Sequence, residues 1–265
     1  MSREGGILSK SECLIDFLYI CTLNKTIIKL QLYSNMATYN IIGDIHGRTC
    51  WKELVQDDFV NIFVGDYLDP YEDIPYELLM ENLRDIIAYK KEHPATVLLY
   101  GNHDMHYFVE KERSSRYDSL HAELIKLFFD DSKHLFDGVA YAIGDEMLVT
   151  HAGVTREWYE NKFGEYKGEK PSQVAQNINQ LWAENKFEFT FKANVTQTLD
   201  FYGESPTHSP MWIRPWVLAL YNLFENTAFK QVFGHTQVED LTTINDNLID
   251  VDCLGTITKS FQTTL

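Results

Sequence analysis

The chain has 265 residues, of which 45% are hydrophobic and 14% aromatic, enough to bury a substantial core. A formal charge of -16 argues against a nucleic-acid backbone or an anionic membrane as the main partner, because both demand basic patches. Four cysteines with no C-x-x-C spacing are too few for a disulfide framework, and the expected setting is reduced and cytoplasmic.

Residues 1–35 read as an N-terminal appendage, the competing reading being an extra helix and strand. Their apolar run, 13–23, contains Asp16 and falls far short of a bilayer span. It also lacks a strongly basic start and a small-residue cleavage site, so it is not read as a signal peptide. Met36 stands just before the first strand, and one domain is expected over 36–265.

A short β-branched run, Tyr39 to Ile42, reads as a buried strand that ends at Gly43 and delivers Asp44 and His46. Gly43 and Gly47 permit a tight turn there. Residues 50–57 suggest a short helix, and Phe59 to Val64 a second strand, running into Gly65-Asp66-Tyr67-Leu68-Asp69-Pro70. From Pro75 to about Lys91 an apolar stripe (Leu78, Leu79, Leu83, Ile86, Ile87) marks a helix. Thr96 to Tyr100 is a third strand, ending in Gly101-Asn102-His103-Asp104. Three times, then, a hydrophobic strand stops at a glycine and ligand-type residues follow, as in an α/β sheet with its site at the strand C-termini.

Further on, 118–130 is an amphipathic helix, and Val139–Ile143 with Met147–Thr150 form a hairpin that delivers His151-Ala152-Gly153. Pro171 to Trp182 is helical, 203–210 is a loop, and Pro215 to Glu225 is helical in pattern. Gln231 to Phe233 is a strand leading to Gly234-His235-Thr236, and two strands, 241–244 and 248–251, close the chain across Asn245-Asp246-Asn247.

The ordered motifs Gly-Asp-Ile-His, Gly-Asp-Tyr-Leu-Asp, Gly-Asn-His-Asp, His-Ala-Gly and Gly-His-Thr resemble the calcineurin-like metallophosphoesterase superfamily, most closely its phosphoprotein-phosphatase-like branch. The resemblance spans 38–255. It implies a four-layer α/β/β/α sandwich, with two central mixed sheets and two metal ions at the strand ends. By matched position, Asp44 and His46 would hold the first metal, Asp66 would bridge both, and Asn102, His151 and His235 would complete the second. His103 would be the proton donor and Asp69 its acidic partner. The resemblance further implies a phosphorylated substrate, a phosphate monoester cleaved by a metal-bridging hydroxide. Hydrolysis of a dinucleoside polyphosphate or phosphodiester is the alternative, and a non-catalytic metal-binding module the remote one. Manganese is the first candidate metal, with iron, zinc or nickel possible.

The residues support this independently. Two divalent ions bring four positive charges, and Asp44 and Asp66 return only two negatives. Histidines bind as neutral imidazoles and Asn102 through a neutral carbonyl, so the centre stays positive and attracts phosphate. Metals about 3.5–4 Å apart share a water and lower its pKa toward neutrality. A histidine beside them protonates the leaving oxygen, and Asp69 is expected to orient that ring and raise its pKa.

One departure stands out. The branch follows the position of Asp69 with arginine and glycine, whereas this chain has Pro70-Tyr71. Arg214 is expected to clamp phosphate instead, with Arg48 as the other candidate and Asn102 assisting. His93, His106, His121, His134 and His208 are read as solvated or capping, Asp104 as a helix cap, and Trp182, Trp212 and Trp216 as core.

Overall fold

The structure, a computed structural model, describes residues 37–109, 113–190 and 202–265. The expected appendage over 1–35 therefore lies outside the described residues.

Two sheets form the centre of the region 38–263. The first has the order β3 (Val97–Leu98), β2 (Val60–Phe63), β1 (Thr38–Ile42) and β9 (Phe261–Thr264). Its β1, β2 and β3 run parallel, with Ile41 opposite Ile62 and Ile62 opposite Val97. The second has the order β4 (Ala140–Ile143), β5 (Met147–Thr150), β6 (Lys230–Phe233), β8 (Leu248–Asp250) and β7 (Thr242–Asn245). Here β5, β6 and β8 are parallel, while β4 and β7 are antiparallel to their neighbours on the two edges. The fold is thus α/β with two mixed sheets and flanking helices, as the motif order implied.

Strands buried on both faces explain why Ile41, Ile42, Ile62, Phe63, Leu98, Leu148, Val149, Val232 and Phe233 read as near-continuous apolar runs. The helix Tyr76–Glu92 covers the first sheet through Met80, Leu83, Ile86 and Ile87, and leaves Leu78 more than half exposed. Trp51 is buried beside Phe63 and donates its indole N–H to Asn82 Oδ1 (2.9 Å), which ties the first turn after β1 to that helix. Pro171–Glu184 packs on β4 and β5 through Val174, Ala175, Ile178 and Trp182.

Several bounds differ from expectation for local reasons. The helix expected from 118 begins at Ala122, because Asp118 Oδ1 accepts from the backbone N–H groups of Leu120 and His121 and holds a turn there. The first short helix stops at Leu54, since Val55 is extended. The helix from Pro215 ends at Tyr221, where Asn222 takes its side-chain oxygen to Phe224 N and Gln231 Nε2. Helices at Asn102–Met105 and Arg156–Phe163, and strand β9, carried no period strong enough to predict them. Trp182 and Trp212 are core residues, but Trp216 is 54% exposed and is not.

Candidate active site

The parallel strands of both sheets point their C-terminal ends at one region. Asp44 and His46 leave β1, Asp66 and Asp69 leave β2, Asn102 and His103 open the turn after β3, and His151 and His235 follow β5 and β6. Three groups of candidate ligands result among the described residues: Asp44–His46–Asp66 and Asp66–His151–His235, with Asp66 common to both, and Asp69–His103–His106 beside them. Asp66 Oδ2 lies 3.5 Å from His46 Nε2 and 3.5 Å from His151 Nε2. Asn102 Oδ1 is 2.9 Å from His151 Nε2 and 2.9 Å from His235 Nδ1. All six residues expected to hold metal are therefore brought together.

Holding them there requires unusual backbone. Six non-glycine residues among those described have positive φ, and five belong to this site: His46 (43°), Asp66 (52°), Asp69 (56°), Arg116 (61°) and His235 (72°). Left-handed backbone at a residue with a Cβ is costly and persists only where the surroundings over-determine it. Asp104 supplies part of that determination. Its Oδ2 accepts from Gly101 N and Asp66 N (both 2.8 Å), and its Oδ1 accepts from Tyr67 N (2.9 Å). It is more than the expected helix cap, since it locks the loop after β2 to the loop after β3. Gly65, at φ +112°, has no room for a side chain between them: a Cβ would stand 2.3 Å from Gly101 N.

Beside the clusters, His103 Nδ1–H donates to Asp69 Oδ2 (2.8 Å), the expected dyad. Asp69 has two further partners that were not expected. Tyr107 donates its hydroxyl to Oδ1, and His106 Nε2 lies 2.8 Å from Oδ2. Ser114 N–H donates to His106 Nδ1 (3.2 Å), so that nitrogen accepts and Nε2 is the one bearing the proton toward Asp69. His106 is 2% exposed and corrects the reading of it as a solvated histidine. Burial raises the Asp69 carboxyl, but the hydrogen bonds from His103 and His106 outweigh it and hold it below the usual range. His103 departs from expectation in sign. Burial dominates and pushes its ring down to about 4, although Asp69 acts in the raising direction.

A cavity of about 290 Å³ opens on these groups, lined among others by His46, Asp66, Asn102, His103, Tyr71 and His235. Arg214 lines it, anchored on Thr236 Oγ1 (3.0 Å) and on the Tyr202 carbonyl (2.8 Å). Arg48 does not. It pairs with Glu72 (3.2 Å) and faces a neighbouring cavity with Cys50, Asn82 and Gly255. Arg113 lines the same cavity as Arg214 without having been singled out, and Arg116 reaches His103.

The calcineurin-like phosphoesterase family matches residues 38–251. The chain belongs to that family. No curated protein matches it closely enough to count as a relative. Among solved structures, it is similar to a protein serine/threonine phosphatase from Saccharomyces cerevisiae, itself described as similar to human phosphatase PP5. Identity is 17% and the TM-score 0.46, over 81% of this chain and 66% of that one, so the chain spans just under two thirds of its length.

The donor set of this family member fits divalent cations. His46 Nδ1–H donates to the Leu68 carbonyl (2.8 Å), and His151 Nδ1–H to the Val64 carbonyl (3.1 Å). A carbonyl only accepts, so both protons sit on Nδ1 and both Nε2 lone pairs face Asp66 Oδ2, itself an acceptor. Lone pairs opposed in a buried site repel unless a cation lies among them. Asp44 Oδ1 is likewise buried with no hydrogen-bond donor. Burial and neighbouring rings hold His46 and His235 well below the ordinary histidine range, and burial holds His151 at about 3. All three are thus neutral at neutral pH, the form in which an imidazole can bind a cation. Asp252, after β8, joins the acidic floor at about 7, and burial with neighbouring carboxylates raises Asp44 and Asp66. Asp252 was not anticipated, though it lies two residues past the end of β8 at Asp250, as Asp44 does past the end of β1.

The raised carboxyls fix the sign of a pH dependence. Without cations, Asp44 and Asp66 keep protons to higher pH than ordinary carboxyls do, and binding cations displaces them. Metal affinity should therefore climb as pH rises. Calorimetric titration in buffers of different ionisation enthalpy should show more protons released at about pH 6 than at about pH 9. Equal release at both would mean these carboxyls enter the complex already ionised.

Proposed function

We propose that the chain is a two-metal phosphoesterase that hydrolyses a phosphate monoester, on a phosphoprotein or a small phosphorylated molecule. The observation that carries this reading is the Asp66 carboxylate midway between two inward-facing imidazole lone pairs, with each ring belonging to a different cluster. In this reading Asp44, His46 and Asp66 hold one cation, and Asp66, Asn102, His151 and His235 the other. Manganese is the first candidate, then iron, zinc or nickel. When bound, such a pair supplies Lewis acidity and brings the pKa of water toward neutrality.

The remaining chemistry belongs to the chain. Arg214 and Arg113 offer guanidinium groups to the phosphoryl oxygens in the cavity. Asn102 turns Oδ1 to the two rings and has its amide nitrogen left to donate into the cavity that it lines. His103 gives a proton from Nε2 to the leaving oxygen, and Asp69, held by His106 and Tyr107, keeps the ring oriented through Nδ1. Because burial keeps this ring neutral at rest, its proton has to arrive with the substrate. A phosphate dianion beside the ring favours the charged form.

A cavity of about 290 Å³ sits at the small end for ligand sites, which favours a monoester over a dinucleoside polyphosphate. Free thiols at Cys50 and Cys253 agree with a reducing, cytoplasmic setting. Among the described residues no helix is long and apolar enough to cross a membrane.

A substrate panel with manganese tests the reading. p-Nitrophenyl phosphate and a phosphopeptide should be hydrolysed, while bis-p-nitrophenyl phosphate and diadenosine tetraphosphate should not. The reverse pattern would assign the second linkage class. No turnover and no bound metal, after adding manganese, iron or zinc in turn, would leave a non-catalytic module.

A further inference from the structure

Arg116 is held more tightly than its place in a loop requires. Its guanidinium carbon stacks 3.6 Å from the centroid of the Tyr71 ring. Its Nε–H donates to the Asp69 carbonyl (2.9 Å), and its Nη2 donates to His103 Nε2 (3.3 Å). Its backbone is left-handed, at φ 61°, a conformation it shares with four members of the two clusters and the dyad. Tyr71 is itself seated edge-on against His46, with ring centroids 5.1 Å apart, so the stack is fixed relative to the first cluster.

The position of Nη2 decides what this arrangement can do. An oxygen that takes a proton from His103 Nε2 must lie about 3 Å from that nitrogen. Arg116 Nη2 is 3.3 Å from the same nitrogen, so an oxygen in that place is within reach of both donors. At rest the guanidinium donates into the ring's lone pair. Once Nε2 carries a proton, the two donors face each other, and an anionic oxygen between them satisfies both.

We propose that Arg116 is a catalytic residue that donates to the leaving-group oxygen alongside His103. The proposal rests on the reading of His103 as proton donor. As the P–O bond breaks, the leaving oxygen takes the electron pair. The Nε2 proton passes to it, and Arg116 stabilises the negative charge that has developed before that transfer is complete. Arg116 keeps its own protons throughout.

The test compares the wild-type protein with Arg116→Ala, Arg116→Lys and His103→Ala, each loaded with manganese, on aryl and alkyl phosphates of graded leaving-group pKa. In Arg116→Ala, kcat/KM should fall about a hundredfold for alkyl esters and less than about tenfold for the most acidic nitrophenyl leaving group. Added guanidinium ion should restore part of the loss. Arg116→Lys keeps the charge without the planar stack and should retain an intermediate rate, which also decides the matter if the alanine variant fails to fold. Manganese content and thermal midpoint should match the wild type. A loss equal across all leaving groups would make Arg116 a loop anchor and overturn the proposal, as would rates within about twofold of wild type. Those results with His103→Ala inactive would overturn the proposal alone. An active His103→Ala, or a wild-type protein that hydrolyses none of the esters, would overturn the proton-donor reading and the proposal with it.

Discussion

Asp66→Asn is expected to give a protein that is easier to fold and no longer holds its metals. In the native chain Asp66 Oδ1 accepts the His103 backbone N–H (2.8 Å), and Oδ2 lies between two imidazole lone pairs. An asparagine that keeps its oxygen toward His103 N turns its amide to the rings, and its two protons meet the lone pairs of His46 and His151. The opposed acceptors become hydrogen bonds, and a buried carboxyl, disfavoured there by burial and by Asp104, disappears. Each relieved group is worth about 1–3 kcal/mol in a buried site, so the metal-free variant should melt above the metal-free wild type. Two cations would then share one fewer negative charge and lose the ligand common to both clusters. Metal content should drop from about two per chain to below one, and turnover by at least about a thousandfold. Elemental analysis, melting curves with and without manganese, and phosphatase assays read all three. A variant that retained both metals and rate would remove Asp66 from the bridging position.

That trade between folding and cation binding also marks what could be read from the sequence. The candidate ligands were legible because each sits one to four residues past a strand end, and because parallel strands from two sheets bring those ends together. Asp252 obeyed the same rule after β8 and could have been found by it. Arg116 and His106 could not. Arg116 is 47 residues from Asp69 and 13 from His103, in a loop with no period of its own, and its position depends on a stack with Tyr71. His106 follows directly on a helix of only four residues, Asn102–Met105, too short to show an amphipathic pattern. Asp104 looked like a cap because its bond to Gly101 N is local, whereas its bonds to Asp66 and Tyr67 cross 38 and 37 residues. Local rules located the candidate ligands, and tertiary contacts assigned the groups that brace them.

Removing the His103 side chain should separate proton transfer from metal binding. The His103 backbone N–H braces Asp66, and alanine keeps that donor, so the cluster geometry does not depend on the ring. Asp69 keeps its contacts with Tyr107 and His106. His103→Ala should accordingly bind two equivalents of manganese and lose about a hundred- to ten-thousandfold in kcat on alkyl phosphates. The loss should shrink as the leaving group becomes more acidic, because such an oxygen departs without a proton. A second readout comes from stability. In the unfolded chain this ring takes up a proton near its ordinary 6.5, and in the folded chain only near 4. Unfolding therefore binds a proton between those values, and the ring's contribution to stability falls as pH drops through that window. The metal-free variant lacks this ring and should lose less stability than the metal-free wild type between about pH 6.5 and pH 4. Denaturant melts at a series of pH values measure the difference. Native turnover on an alkyl ester would show that the leaving oxygen draws its proton from elsewhere, and parallel stability profiles would show that the ring is not held neutral in the fold.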